Sequence, residues 1–445
     1  MNILKFFKFN FSKEQNKRIF KNFTSQIFFN SSLTIWQILF PPLMIMIYGL
    51  ENFGIWIFLT AIPSTFAILN FELNEAAKTE MSIYFNQNNK NKVNEIFNNS
   101  IVLTFIFIAF LILITTLIIN FYDFDLNILK DLKPNELKII LVCIFLSFYL
   151  NIINGIFKTG ITYWGRLDVD TYIEIFFDFL TKLLIIVSGL VFKGLLFASF
   201  ALVFASIFKL IAFYFFFLNY NQYLTLFSFR LLSKKQIVKL FKLSIPYYLE
   251  SVTGVMKNSF QIIILGIFFN SQIVGLFSTL RTLFYFLPIR VWGITGKVLM
   301  YEFTKLYSEK KFDLLKKIYS KYLKLAAVFL TTFLFASMLF GEYIYNLWLN
   351  NSYNLDYFLL LFIIFEVSFY ILATNINIVN RSINKFFQIS FFQIIINLIV
   401  ILISYLFFYY QKSYYFLFLF NLIGSILFMM YSVYFSRKQM RKELI

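Results

Sequence analysis

Long apolar runs, each about the length of one membrane crossing and separated by short polar segments, dominate the chain from end to end. With roughly 20 apolar residues needed to cross a bilayer, the pattern predicts spans near 24–48, 53–72, 97–120, 137–158, 171–192 and 194–218. The second half gives 242–268, 274–299, 322–341, 356–377, 387–410 and 413–435. The runs lack the ten-residue alternation of an outer-membrane barrel, and a helix satisfies its own backbone groups inside lipid. The expected fold is an all-α polytopic membrane protein of about twelve transmembrane helices. Turns are expected at Leu50–Asn52 and Asn270–Gln272, and Gly194 opens another.

A fixed shift of 221 residues lays one half on the other. Arg18-Ile19-Phe20-Lys21 falls on Lys239-Leu240-Phe241-Lys242, Gly54 on Gly275, Lys90 on Lys311, Ser147-Phe148-Tyr149 on Ser368-Phe369-Tyr370, and Asn154 on Asn375. The polar and glycine matches hold register where apolar matches would arise by chance, so the chain reads as a parallel duplication. Two six-helix lobes are expected, residues 1–221 and 222–445. An even span number gives both copies the same orientation, with a pseudo-symmetry axis along the membrane normal and a central cavity between them.

Composition fits this picture: 60% of the residues are hydrophobic and 14% charged, too little polar surface for a soluble domain. The single cysteine, Cys143, excludes an intrachain disulfide, and the absence of histidine removes the commonest metal ligand and neutral-pH proton carrier. No metal site and no cofactor are expected. The basic residues set the topology. The N-terminus, alternate connections and C-tail carry thirty Lys and Arg, against five in the opposite loops (Lys130, Lys133, Lys138, Lys193 and Lys412). By the positive-inside rule both termini are cytoplasmic. The net charge of +18 is then topology and attraction to membrane lipids rather than a nucleic-acid surface.

Ionisable residues within spans are costly and concentrate at functional or structural sites. Span seven carries Glu250 and Lys257, seven residues apart on one face; span eight carries Arg281, Arg290 and Lys297. At about 1.5 Å per residue, Glu250 and Arg290 lie at one depth, Lys257 and Arg281 at another. The expected arrangement pairs Glu250 with Arg290 and leaves Lys257 and Arg281 as cations without an acidic partner, suited to an anionic ligand; helix–helix salt bridges or snorkelling are the bland alternative. Arg281 and Arg290 lie on opposite faces unless the helix bends. Glu174, Asp178 and Lys182 form a stripe on span five which, with Lys209, reads as a structural ion network. Glu366 is the lone acid of span ten, a proton or cation carrier or a structural partner. Pro41, Pro42, Pro63, Pro246 and Pro288 mark breaks in spans one, two, seven and eight, as hinges or as static kinks.

Several segments carry a family resemblance: the turn Tyr48-Gly49-Leu50-Glu51-Asn52-Phe53-Gly54-Ile55-Trp56, Leu243-Ser244-Ile245-Pro246 leading into span seven, and Val274 to Leu283 opening span eight. The basic amphipathic stretch Tyr301–Tyr322 and the exit Gly341–Leu349 add to it. With the twelve spans, these resemble the multidrug, oligosaccharidyl-lipid and polysaccharide (MOP) exporter superfamily, and within it the Wzx-type flippases for O-antigen or capsule repeat units. The resemblance implies a MATE-like pair of lobes. It further implies movement of an undecaprenyl-pyrophosphate-linked oligosaccharide from the inner to the outer leaflet of a bacterial inner membrane by alternating access, with no bond made or broken and with other polysaccharide-assembly proteins as candidate partners. A cationic cavity formed by Lys257, Arg281, Arg290 and Lys297 would meet the pyrophosphate or acidic sugars. The rivals are a multidrug antiporter, disfavoured because span one lacks an acid, a peptidoglycan-precursor flippase, which usually has two further spans, and a membrane polymerase or glycosyltransferase, for which the outer loops are too short.

Overall fold

The computed structural model describes residues 13–66, 72–121, 126–130, 132–164, 166–221, 224–225, 228–308, 310–350, 355–383, 385–411 and 413–443. Among these the fold is helical throughout, and eleven helices are long and apolar enough to cross a membrane. The first, α1 (Lys13–Phe66), contains the first predicted span and the larger part of the second: Gly49, with φ 82° and ψ 162°, breaks it into two arms at a backbone conformation that side chains with a Cβ disfavour. Twelve spans are thus accounted for, and the chain is a multi-pass membrane protein.

The first half continues with α2 (Leu73–Asn86), α3 (Lys90–Phe121), α4 (Pro134–Thr162), α5 (Leu167–Phe192) and α6 (Leu195–Tyr220). The segment 73–96, expected as a connection, is therefore largely helical. The second half contains α7 (Lys234–Val255), α8 (Gln261–Phe268), α9 (Ser271–Arg281) and α10 (Leu287–Ser308), then α11 (Phe312–Trp348), α12 (Tyr357–Ile376), the short α13 (Ile378–Ser382), α14 (Phe387–Gln411) and α15 (Tyr415–Glu443). The stretch 301–322 is not one separate amphipathic helix. Its first part continues α10, its second forms the opening turns of α11, and the chain turns near Lys310, at φ 55°.

The duplication is visible in the packing. In the first half α4 packs most extensively on α6, and in the second half α12, the repeat counterpart of α4, packs on α15, the counterpart of α6. The pairs α5–α6 and α14–α15 correspond in the same way. The largest apolar core is shared by both halves at the less basic end, from Met44, Phe53 and Leu59 through Leu141 and Val274 to Leu360 and Phe418. Towards the basic end the core divides: Met81, Phe97 and Phe217 pack with Leu240 of α7, and Phe303, Leu315 and Tyr322 form a second cluster. The halves are thus pressed together at one end, while at the other α7 packs on the first half and α10, α11 and α13 form a cluster of their own.

That joint is built on a symmetric contact. A Cβ placed on Gly54 would collide with the carbonyl of Ser271 and lie 3.2 Å from the Gly275 nitrogen, while one on Gly275 would meet Leu50 Cδ1 at 2.7 Å and its carbonyl oxygen at 3.1 Å. Leu50 and Ser271, like Gly54 and Gly275, are 221 residues apart, so each glycine admits the counterpart of the other's neighbour. Gln272 Nε2 donates to Glu51 Oε1 at 2.6 Å, again between repeat-related positions, and Trp348 Nε1 donates to the Ile38 carbonyl at 2.8 Å. The connection between the halves is held by two buried asparagines of α3. Asn98 Oδ1 accepts from the Ser228 amide at 2.7 Å, and Asn99 Oδ1 from the Ser233 amide at 3.0 Å.

Candidate functional site: a buried ion cluster in the second half

Spans seven and eight are each interrupted by one π-helical turn, Met256–Phe260 between α7 and α8 and Thr282–Phe286 between α9 and α10. Such turns are rare, widen the helix, shift the register of the helix beyond them and free a carbonyl from the usual ladder; they occur frequently at functional sites. Lys257 lies within the first and Arg281 immediately precedes the second. Between them the two turns bring these cations into one buried cluster, with Lys257 8% and Arg281 3% exposed.

Arg281 Nη1 donates to the Lys257 carbonyl at 3.0 Å and to Gln261 Oε1 at 3.4 Å; its Nη2 donates to Asn258 Oδ1 at 3.0 Å. Three rings surround the guanidinium, with centroids at 4.7 Å for Tyr285, 4.9 Å for Phe286 and 5.1 Å for Phe277. Lys257 Nζ lies 3.2 Å from Glu366 Oε1, a buried carboxylate presented by α12, and 4.1 Å from the Tyr370 ring centroid. It also donates to Ser425 Oγ of α15 at 3.4 Å, while Gln261 Nε2 donates to Asn421 Oδ1 at 2.6 Å. Cation–π contacts strengthen as water is excluded, which fits a site built from aromatic and amide groups.

The expectation that Lys257 has no acidic partner is therefore corrected: Glu366 is that partner. Sequence position hid the pairing because the two residues lie on spans seven and ten, and only the packing of α12 brings them together. Arg281 meets no carboxylate at ion-pair distance among the described residues, so the cluster holds two cations and one carboxylate, a formal surplus of one positive charge. Tyr285, Tyr370, Gln261, Asn421 and Ser425 were not singled out by sequence; of these, Gln261, Tyr285 and Tyr370, each four residues after Lys257, Arg281 and Glu366 in turn, carried a spacing signal.

Arg290 does not join the cluster. The π-turn and Pro288 stand between it and Arg281, and its Nη1 is buried without a hydrogen-bond partner among the described residues. The backbones of Glu250 and Lys297 lie in α7 and α10, but the side chains of Glu250, Lys297 and Pro246 lie outside the described residues, and with them the expected Glu250–Arg290 pair. Pro41, Pro42 and Pro63 lie within α1, whose break is at Gly49. The stripe on α5 forms ion pairs. Asp178 binds Lys182 at 2.6 Å, and Glu174 binds Lys209 of α6 at 2.7 Å. Lys158 of α4, read from sequence as a topological anchor, extends that network to Asp170 at 3.2 Å and Glu174 at 3.8 Å.

Residues 19–306 match the family described as polysaccharide biosynthesis protein. The chain belongs to this family. A multidrug resistance MATE family transporter of the MOP superfamily, in its inward-facing conformation, superposes with a TM-score of 0.63 at 15% identity, covering 92% of this chain and 98% of that one. An outward-facing structure of such a transporter gives 0.53 at 15% identity, over 96% and 94%. A MOP superfamily transporter from Pyrococcus furiosus, for which reverse polarity of the binding pocket suggests a different function, gives 0.54 at 13% identity, over 95% and 94%. These likenesses establish the shared fold. Among curated proteins none matches the chain significantly in sequence.

Proposed function

We propose that this family member flips a lipid-linked oligosaccharide, carried on undecaprenyl pyrophosphate, across the bacterial cytoplasmic membrane by alternating access of two lobes, residues 1–221 and 222–445. The observation that carries the proposal is the buried cluster of Lys257, Arg281 and Glu366, with its surplus cation, inside a chain of the polysaccharide biosynthesis family. Its positive charge suits a pyrophosphate, which a guanidinium binds through charge-assisted bonds. Glu366 then acts as the internal occupant of Lys257, which the anion displaces as the helices part. The core shared by both halves at the less basic end supports a conformation closed on the side away from the cytoplasm.

The second reading is a cation-coupled drug exporter. It is favoured by the fold shared with MATE transporters and by Glu366, a buried carboxylate able to take up a proton or a cation. The deciding experiment is complementation of a flippase-deficient strain by the wild type and by the Lys257→Ala, Arg281→Ala double variant. Restoration of surface polysaccharide by the wild type and its loss in the double variant is the expected result. Full polysaccharide from the double variant removes the cluster from the mechanism, and drug resistance without polysaccharide establishes the exporter.

A further inference from the structure

A polar cavity of about 350 Å³ opens between α2, α4, α5 and α6 of the first half, within the size range of small-molecule sites, about 300–1,000 Å³. It is remote in sequence from the buried cluster and built differently. Three carboxylates (Glu72, Glu75, Glu174) and three ammonium groups (Lys78, Lys158, Lys209) border it. The ammonium groups are all committed: Lys78 to Glu75, Lys209 to Glu174, and Lys158 to Asp170 and Glu174. An anionic ligand would find the bordering charge balanced and every ammonium group taken.

The buried unpartnered hydrogen-bonding groups of its lining belong to amides. Asn154, 3% exposed, lines the cavity with both Nδ2 and Oδ1 buried and unpartnered among the described residues, and Asn74 Oδ1 on the facing helix is unpartnered too. A buried amide without partners is costly, and its repeat counterpart shows what a purely structural asparagine does at this position. Asn375 Oδ1 accepts from Trp292 Nε1 at 3.0 Å and from the Tyr322 hydroxyl at 2.6 Å, leaving only its Nδ2 unpartnered among the described residues. Shifted back by 221, those donors become Phe71 and Ile101, whose side chains donate nothing. The polar border is likewise confined to the first half, since Asn151, Lys158, Glu174 and Lys209 correspond to Leu372, Val379, Ile395 and Met430. The asparagine is present in both halves, while the first has no donors at the equivalent positions and a cavity beside it.

An amide that donates and accepts at once, in a charge-balanced pocket walled on one side by Phe148, matches a hydroxyl-rich neutral ring. We propose that this cavity is a saccharide subsite, holding a neutral sugar of the translocated oligosaccharide through Asn154 and Asn74; this rests on the flippase reading above. The two halves then divide the substrate, with sugar recognition in the first and the anionic linkage in the second.

The test uses the full chain in lipid nanodiscs and saturation-transfer NMR with N-acetylglucosamine, N-acetylgalactosamine, galactose, mannose and rhamnose presented singly. At least one sugar should receive saturation from the wild type. Asn154→Leu should weaken that binding by about tenfold or more, the equivalent of one lost buried hydrogen-bonded contact, whereas Thr331→Val, on the exposed face of α11, should leave it unchanged. Asn74→Ala, on the facing wall, should act in the same direction and serves if Asn154→Leu does not fold. Saturation of none of the sugars, binding indifferent to both asparagine variants, or displacement of the sugar by sodium chloride, as at an ion site, overturns the subsite. If sugar binding depends on Asn154 while the wild type fails to complement, the flippase reading fails alone. If the wild type complements while no sugar binds, the subsite fails alone.

Discussion

Gly54 and Gly275, related by the 221-residue repeat, meet backbone to backbone where the two halves of the chain join. A methyl group on the first would overlap the Ser271 carbonyl, and one on the second would press on Leu50. Close backbone approach through small residues is a general way for membrane helices to associate. Here it falls on the repeat axis, so the same glycine serves both copies.

Substituting Gly54→Val should hold the halves apart at this end, because the obstructing atoms are backbone and cannot rotate away. In a Cys143→Ser background, cysteines at Glu51 and Gln272, whose side chains hydrogen-bond at 2.6 Å, should be joined by a short bifunctional thiol reagent that spans two such side chains. The Gly54→Val change should abolish that crosslink and transport together. Undiminished crosslinking would mean that the glycine contact does not govern closure.

Removing one member of the Lys257–Glu366 pair should be worse than removing both. Glu366→Gln leaves a buried ammonium without its carboxylate, an effect of about 3–5 kcal/mol, to be read as a lowered melting temperature of the purified protein. The double change Lys257→Met, Glu366→Leu should recover most of that stability while leaving transport abolished. Recovery of both would make the pair purely structural.

Arg281→Lys preserves the charge but not the fork that reaches the Lys257 carbonyl and Asn258 together. With charge-assisted bonds worth about 1.5–3 kcal/mol each, transport should fall about tenfold or more at unchanged expression. Wild-type rates in this variant would show that charge alone suffices.

The two equivalent asparagines should respond oppositely to leucine. Asn375→Leu orphans the Trp292 and Tyr322 donors and should destabilise the protein by about 1–3 kcal/mol, whereas Asn154→Leu breaks no side-chain hydrogen bond among the described residues and should melt near the wild-type temperature. Equal destabilisation would place Asn154 in the structural framework.

At the basic end, Lys239 of α7 is ion-paired with Glu80 of α2, and the hydrogen bond to that carboxylate holds the ammonium above its ordinary range. A cation with a raised folded-state pKa contributes stability that is complete below its unfolded value, near 10.4, and is lost as pH rises through the folded value. The contribution should therefore be flat from about pH 6 to 9. Any pH dependence of transport in that window should persist in Lys239→Met, as vesicle assays across the range would check.

Twelve spans and a duplicated architecture were legible because membrane insertion leaves period, length and charge bias in the sequence itself. The ion pairs of Asp178 with Lys182 and of Glu174 with Lys209 were also within reach, since helical spacing or span adjacency fixes those distances. The Lys257–Glu366 contact was not, because the facing of spans seven and ten depends on tertiary packing and on π-turns that have no sequence signature here. The orphaned state of Asn154 was hidden for a related reason: it depends on what Phe71 and Ile101 fail to offer, which shows only when the other half's contacts are known.

The π-turns carry a final consequence for how such a chain diversifies. The 221-residue register is the same before them, at Lys239, and after them, at Asn375, so neither turn records an inserted residue. The first half has proline nearby in each case: Pro63 corresponds to Phe284 within the second turn, and Pro41-Pro42 to Ile262-Ile263 just beyond the first. Both copies interrupt the backbone ladder at corresponding levels by different means. A new arrangement of polar groups was thus open to point substitution alone, without a change of length that would have thrown every later span out of step with its neighbours.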